Sequence, residues 1–308
     1  FTKVKDMRPD DIIVLELSSF QLMGMEVSPD IAVVTNMFPD HLNVHKSYEE
    51  YQEAKKNIFL HQDKNGIAIL NKDNDITRNF AKDVVGKAVF FSSTKQLKDG
   101  YVYDRADQMI KHCIDGKCIE LLKKNEIKLR GIHNYENICT ALAATKTLVN
   151  QDKAVEAIKE FNSVEHRLEL VKQIDGVKWY NDSVSSSPTR TIAGLNSYDE
   201  PIVLIAGGYD KNLDYDILGK YIVKKVKALV LIGNTAKKIL DATTKEMEKQ
   251  GVELPICFCQ TLEDAVKAAK QVAKENQVVL FSPASTSFDM FKNMYDRGNQ
   301  FKKLVNEL

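Results

Sequence analysis

The chain has no long hydrophobic run. None of its apolar stretches approaches the roughly 20 consecutive residues that a membrane-spanning helix needs. The first residues, Phe1-Thr2-Lys3-Val4-Lys5-Asp6, lack the apolar core of a signal peptide. An excess of one charge is missing too, because 43 Lys and Arg balance 43 Asp and Glu. A broad basic face for nucleic acid is therefore not expected, although a local anion site is still compatible with this balance. No segment reads G-x-x-x-x-G-K-[ST], the loop whose backbone N–H groups cradle nucleotide phosphates. Gly207-Gly208 with Lys211 is too short and lacks the following Ser or Thr. Cysteine is scarce, at five residues. Cys113 and Cys118 flank a turn-like Ile-Asp-Gly-Lys, and Cys257 and Cys259 lie two apart in a strand candidate, facing one side. Neither pair has a partner Cys or His pair at zinc-ligand spacing. Ordinary reduced thiols in a cytosolic protein are expected instead.

What is present is ordinary for a globular α/β protein. Hydrophobic residues make up 44% and charged residues 28%, and 308 residues suffice for two domains. Asp11 to Leu17, Ile31 to Asn36 and Ile67 to Leu70 read as buried strands. Ser47 to Leu60 reads as a helix, with Ser47 and Glu50 forming a capping box. Residues from about Val89 to Leu129 alternate and carry Asp-Gly turns, which predicts a small antiparallel patch. Helices are expected over His133 to Asn150 and Ala154 to Phe161. The pattern restarts near residue 163. There Leu168 to Ile174 and Val177 to Asn181 flank the hairpin turn Asp175-Gly176. Strands at Ile202, Ala228, Ile256 and Val278 then alternate with helices beginning near Pro188, Asp214, Thr235, Leu262 and Ser287. Such alternation implies a mostly parallel sheet with helices on both faces. The expected division is 1–163 and 164–308.

The densest chemistry lies in Ser282-Pro283-Ala284-Ser285-Thr286-Ser287-Phe288-Asp289, with Arg297 and Gly298 beyond it. It follows the apolar run Val278-Val279-Leu280-Phe281, so its hydroxyls sit at the carboxyl end of a strand, where open α/β sheets bind ligands. On its own it fits equally well a Ser/Pro-rich turn with an N-cap. Glu16 ends a strand candidate beside two serines, which suits Mg²⁺ near phosphates or a solvated acid. Asn134 and Asn137 share a helix face, and Arg167 sits where the second domain begins.

These pieces and others resemble the Mur ligases, in particular the branch that adds D-glutamate. The matching blocks run in order: Glu16-Leu17-Ser18-Ser19-Phe20-Gln21-Leu22; Thr35-Asn36 with Asp40-His41; Ala54-Lys55; Gly131, His133-Asn134 and Asn137; His166-Arg167; Asn181-Asp182-Ser183; Gly207-Gly208 with Lys211; and the segment 282–291. The resemblance implies the rest of a central ATPase domain, with a mostly parallel sheet and an antiparallel patch. A Rossmann-like, amino-acid-binding C-terminal domain would follow, the chain being the C-terminal two-thirds of such an enzyme. It further implies ATP-dependent addition of D-glutamate to UDP-N-acetylmuramoyl-L-alanine through an acyl phosphate, in peptidoglycan precursor synthesis. Glu16, His41 and Lys55, the last as a carbamate, would be catalytic and would hold Mg²⁺. Asn134, Asn137, Arg167 and Asp182 would meet ATP. Lys211, Ser186, Ser287 and Phe288 would hold D-glutamate. The implied enzyme is a cytoplasmic monomer without nucleic-acid or membrane partners, and the chain alone is expected to be inactive. Three positions depart from the pattern: Val184 replaces a family lysine, Ser186 a threonine, and Met294 an aromatic found in some members. Two alternatives stay open. One is another Mur or folylpolyglutamate-type amino-acid ligase, and the other is a non-catalytic nucleotide-binding fragment or paralogue.

Overall fold

The structure is a computed structural model, and it describes residues 4–38 and 45–308. The strands are β1 (Ile31–Val34), β2 (Ile67–Asn71), β3 (Lys87–Ser92), β4 (Gly100–Asp104), β5 (Met109–Ile114), β6 (Lys117–Lys123), β7 (Glu169–Ile174), β8 (Val177–Asn181), β9 (Ile202–Ala206), β10 (Val226–Leu231), β11 (Ile256–Phe258) and β12 (Val278–Phe281). The helices are α1 (Ser19–Leu22), α2 (Tyr48–Leu60), α3 (Asp75–Phe80), α4 (Ile132–Thr145), α5 (Gln151–Glu160), α6 (Pro188–Leu195), α7 (Asp216–Lys225), α8 (Ala236–Gln250), α9 (Leu262–Val272) and α10 (Met294–Asn306). They form two compact units, Phe1–Lys124 with Glu136–Val155, and Asn125–Tyr135 with Glu156–Leu308.

The first unit holds a sheet in the order β1-β2-β3-β4-β5-β6. β1 to β4 are parallel and β4 to β6 antiparallel. The antiparallel patch is therefore smaller than the alternation predicts. β3 follows α3, and a helical crossover returns the chain parallel to β2. Ala32, Val34, Ala68 and Leu70 pack with Tyr51 and Phe59 of α2 and Phe80 of α3. Ser47 caps α2 by accepting from Glu50 N, but the Glu50 carboxylate accepts from Lys46 N at 2.6 Å, one residue before the expected box. The strand expected over 11–17 does not form. The run has no ladder partner among the described residues, and Val14 is 90% exposed. The thiols of the β5–β6 hairpin also depart from expectation. Cys113 and Cys118 are opposite each other in the register and are joined as a disulfide.

The second unit holds a sheet in the order β11-β10-β9-β12-β8-β7. Every pairing is parallel except the β7–β8 hairpin. The period-2 alternation of strands sends side chains to two faces. Ile202, Leu204, Val278 and Leu280 meet α6, α7 and α8, while Val203, Ile205, Val279 and Phe281 meet α9 and α10. Because β8, β12, β9 and β10 are parallel, the loops that follow them emerge at one edge. The final helix starts at Met294, later than the spacing predicts. Asn293 caps it by accepting from Tyr295 N and Asp296 N. Residues just ahead are held outside the helix, where Thr286 bridges Tyr209 and Asp289 accepts from Asn234 N at 3.2 Å.

Gly298 lets α10 approach the chain that enters this unit. A Cβ there would lie 2.2 Å from Nδ1 of the buried His166 ring, which Asn181 Nδ2 also contacts at 2.9 Å. Gly298→Ala is expected to destabilise the second unit by roughly 1–3 kcal/mol through overpacking. Gly24→Ala meets nothing within 4 Å and should change stability by less than about 0.5 kcal/mol. Urea denaturation of both variants checks this, and equal midpoints would contradict it.

Candidate functional site

In the first unit, Ser18 and Gln21 form a reciprocal capping box. Ser18 Oγ accepts from Gln21 N at 3.3 Å, and Gln21 Oε1 accepts from Ser18 N at 2.8 Å. That box starts α1 and leaves Glu16 and Leu17 just ahead of it. A cleft of about 380 Å³ opens there, lined by Glu16, Leu17, Ser18, Ser19, Gln21, Tyr51 and Lys55. Lys55 reaches in from α2 and donates to Leu17 O at 3.3 Å. Burial pushes the Lys55 amine below the usual lysine range, while the Glu16 carboxylate opposes that shift. Its neighbour Lys56 faces away from the cleft and pairs with Glu53 at 2.8 Å and Asp83 at 3.0 Å. His41 lies outside the described residues. Among the described residues, no group of three His, Cys, Asp or Glu could hold a metal ion.

In the second unit, the loops after β8, β9, β10 and β12 meet through hydroxyl and backbone groups. Ser282 Oγ donates to Asp182 Oδ2 at 2.7 Å and lies 2.9 Å from Thr191 Oγ1. Leu168 N donates to Asp182 Oδ1 at 3.3 Å. Ser285 Oγ lies 2.8 Å from both Tyr215 OH and Thr235 Oγ1. Gly207 and Gly208 have φ of +116° and +157°. Cβ atoms there would meet Ile232 O at 1.9 Å and Thr286 O at 2.3 Å. Only glycine permits that approach.

Arg297 ties this edge from below. It is 0% exposed. Its Nη2 donates to Ser183 O at 2.7 Å, its Nε to Ser183 Oγ at 3.0 Å, and its Nη1 to Ser285 O at 3.0 Å. None of these acceptors is a carboxylate. Burial lowers its pKa to about 10, although the fields of Asp289 and Asp182 oppose that shift. The sequence reading gave Arg297 no role. Its signal was position, since Arg297, Gly298, Phe301 and Val305 form the buried face of α10.

The residues singled out from sequence divide between these places. Lys211 and Phe288 come together at the edge, with Lys211 Nζ 5.8 Å from the Phe288 ring centroid. Phe288 is 60% exposed, and Tyr209 meets it edge-on. Ser287 is buried beside it, and Ser186 is half-buried in the loop after β8. Asp182 is buried, with both oxygens engaged inside the loops. Arg167 is exposed ahead of β7, and its field reaches both Asp182 and His133. Asn134 donates to Arg130 O at 2.6 Å, and Asn137 lies exposed on α4.

The order of these features along the chain has a counterpart in known proteins. Residues 2–145 match the Mur ligase middle domain, and residues 166–285 match the Mur ligase, glutamate ligase domain. The chain belongs to the Mur ligase family. Over its whole length this Mur ligase chain is 50% identical to UDP-N-acetylmuramoylalanine--D-glutamate ligase of Acetivibrio thermocellus and 47% identical to that of Clostridium kluyveri. It spans 66% of the length of each. Among solved structures it resembles UDP-N-acetylmuramate-alanine ligase MurC from Thermotoga maritima, with a TM-score of 0.67 and 19% identity. That match covers 94% of this chain and 62% of the other. It also resembles a MurF ligase from Thermotoga maritima in complex with ADP, with a TM-score of 0.59 and 19% identity, covering 91% and 63%. At those identities the likeness establishes the Mur ligase fold.

One consequence of the site's packing can be measured by pH. Burial raises the Asp182 carboxyl to about 6, against the hydrogen bonds from Ser282 and Leu168 N that favour its charged form. The unfolded value is near ~3.9. The folded state therefore holds this proton more tightly. Its contribution to stability is full below pH ~4 and is lost as pH rises through about 6, by about 3 kcal/mol. Asp182→Asn cannot titrate. The stability difference between parent and Asp182→Asn should shift in favour of Asn by about that amount between pH 4 and 7. A difference that stays constant with pH would contradict this account.

Proposed function

We propose that this Mur ligase chain serves an ATP-dependent ligase that adds D-glutamate to UDP-N-acetylmuramoyl-L-alanine for peptidoglycan synthesis. The observation that carries the proposal is the 50% identity, over the full chain, to a relative of that name. In this reading the alanine carboxylate attacks the γ-phosphate of ATP, the bond to the β-phosphate oxygen breaks, and ADP departs to leave an acyl phosphate. The D-glutamate amine then attacks the acyl phosphate, and phosphate leaves. Little covalent chemistry falls to the protein, so positioning and charge neutralisation dominate.

The Glu16–Lys55 cleft fits a Mg²⁺ site in one form. Mg²⁺ takes oxygen ligands, which Glu16 supplies and a lysine amine does not. An amine held below its usual pKa is more often neutral, the form that can add CO₂. As a carbamate Lys55 would supply the missing oxygens, and His41 would help hold a second Mg²⁺. The ions would neutralise phosphate charge. Arg167, Asn134, Asn137 and Asp182 are assigned to the nucleotide side. Asp182 acts there chiefly by fixing the loop that carries Ser186. Lys211 with Ser287, Phe288 and Ser186 is assigned to D-glutamate, since an ammonium and hydroxyls suit a dicarboxylate. The proposed domain boundary stays at 163/164, and the proposed working form is a cytoplasmic monomer. No phosphate-cradling Gly-Lys-Ser/Thr loop occurs in the 308 residues, so the chain by itself is proposed to be inactive.

The test is a ligation assay on a form of the protein spanning the full length of the relatives. Lys211→Ala should raise KM for D-glutamate by about ten- to a hundredfold, the size of one lost charge-assisted contact, and leave KM for ATP unchanged. Lys55→Ala should abolish turnover, and short carboxylates should partly restore it. Equal KM effects on all substrates, or an active Lys55→Ala, would overturn these assignments.

A further inference from the structure

Two thiols stand outside everything described so far. Cys257 lies in β11, the edge strand of the second sheet, and Cys259 directly follows that strand. Residues two apart in extended chain face one side, and here the sulfurs are 3.8 Å apart. Cys257 is exposed. Cys259 is partly covered by the core beneath α9. Cys259 N donates to Leu231 O at 2.9 Å, which fixes the backbone beneath the pair. Two sulfurs held together at an open sheet edge form a bidentate soft-donor set.

The number of donors selects the ion. Tetrahedral zinc takes four protein ligands in structural sites, and among the described residues no third His, Cys, Asp or Glu completes such a group. Hard cations prefer oxygen, whereas soft thiolates select monovalent copper, an ion that two sulfurs can satisfy. We propose that Cys257 and Cys259 form a two-thiolate site for Cu(I). Binding breaks two S–H bonds, forms two S–Cu bonds and releases two protons, and the copper stays monovalent. The other cysteines do not offer this arrangement, because Cys139 is buried and Cys113 is bonded to Cys118.

Proton release gives the site a signature that non-specific uptake lacks. The thiolate, not the thiol, is the metal ligand, so copper must displace the thiol protons. The apparent affinity should therefore rise with pH.

The experiment is an anaerobic titration of the reduced 308-residue chain with Cu(I), in competition with bicinchoninate. It is carried out in a Cys113→Ser/Cys118→Ser background so that the hairpin thiols do not contribute. One copper per chain is expected, with two protons released. Loss of an outer-shell partner already weakens metal sites by ~10–100-fold. Cys257→Ser and Cys259→Ser, each losing a ligand, should therefore bind more than about a hundredfold more weakly. Thermal unfolding checks that both variants remain folded, and alkylation of the unmutated pair with N-ethylmaleimide should abolish binding without any substitution. Undiminished copper affinity in the single variants or after alkylation would overturn the proposal. So would a pH slope near zero.

Discussion

The second unit depends on one buried guanidinium. Arg297 has no exposed surface and donates to Ser183 and Ser285, residues far apart in sequence on the loops after β8 and β12. Each hydrogen bond from a charged donor is worth about 1.5–3 kcal/mol, yet burying the charge costs several. The net gain in stability is small, and the geometric constraint is large. Gly208 presses its backbone against the same group, since a Cβ there would lie 3.2 Å from Arg297 Nη1. Three loops thus take their spacing from one side chain on α10. Ser186, Lys211, Ser287 and Phe288 sit on those loops.

The first unit is built on a different constraint. Its candidate site depends on a short helix, α1, whose capping box fixes Glu16 and Leu17 against Lys55 of α2. Below it, Ser19 Oγ contacts the buried His45 Nε2 at 2.8 Å, with Phe20 stacked on the ring and Tyr51 edge-on. A carboxylate and a half-desolvated amine are therefore held close together by backbone capping and aromatic packing. A direct ion pair is not what sets their separation.

Much of this was legible in the sequence, and the failures have physical causes. The second sheet was read well because its strands are continuous apolar runs between amphipathic helices, as buried parallel strands must be. The sequence pattern starts α10 too early because Phe288, Phe291 and Tyr295 keep helical spacing, while Asn293 holds the actual cap. The run Ile12 to Leu15 has strand composition, but composition supplies no partner, and the run stays unpaired among the described residues. Lys55 could be named only by resemblance. Its desolvation and its separation from Lys56 are tertiary facts. Arg297 was visible as a charge on an apolar helix face, but the sequence could not show that its acceptors are serine oxygens.

The claim that Arg297 sets the ligand edge is tested most directly by backbone hydrogen exchange in Arg297→Lys, a variant that keeps the charge and removes the fork. The amides to follow are Ser185, Gly207 and Tyr209, which donate to Asp182 O, Pro283 O and Thr286 O at 2.9, 2.8 and 2.8 Å. The account predicts that these three lose protection while amides within β9 and β12 keep theirs. Unchanged protection at all three, in a variant whose arginine fork is gone, would contradict it.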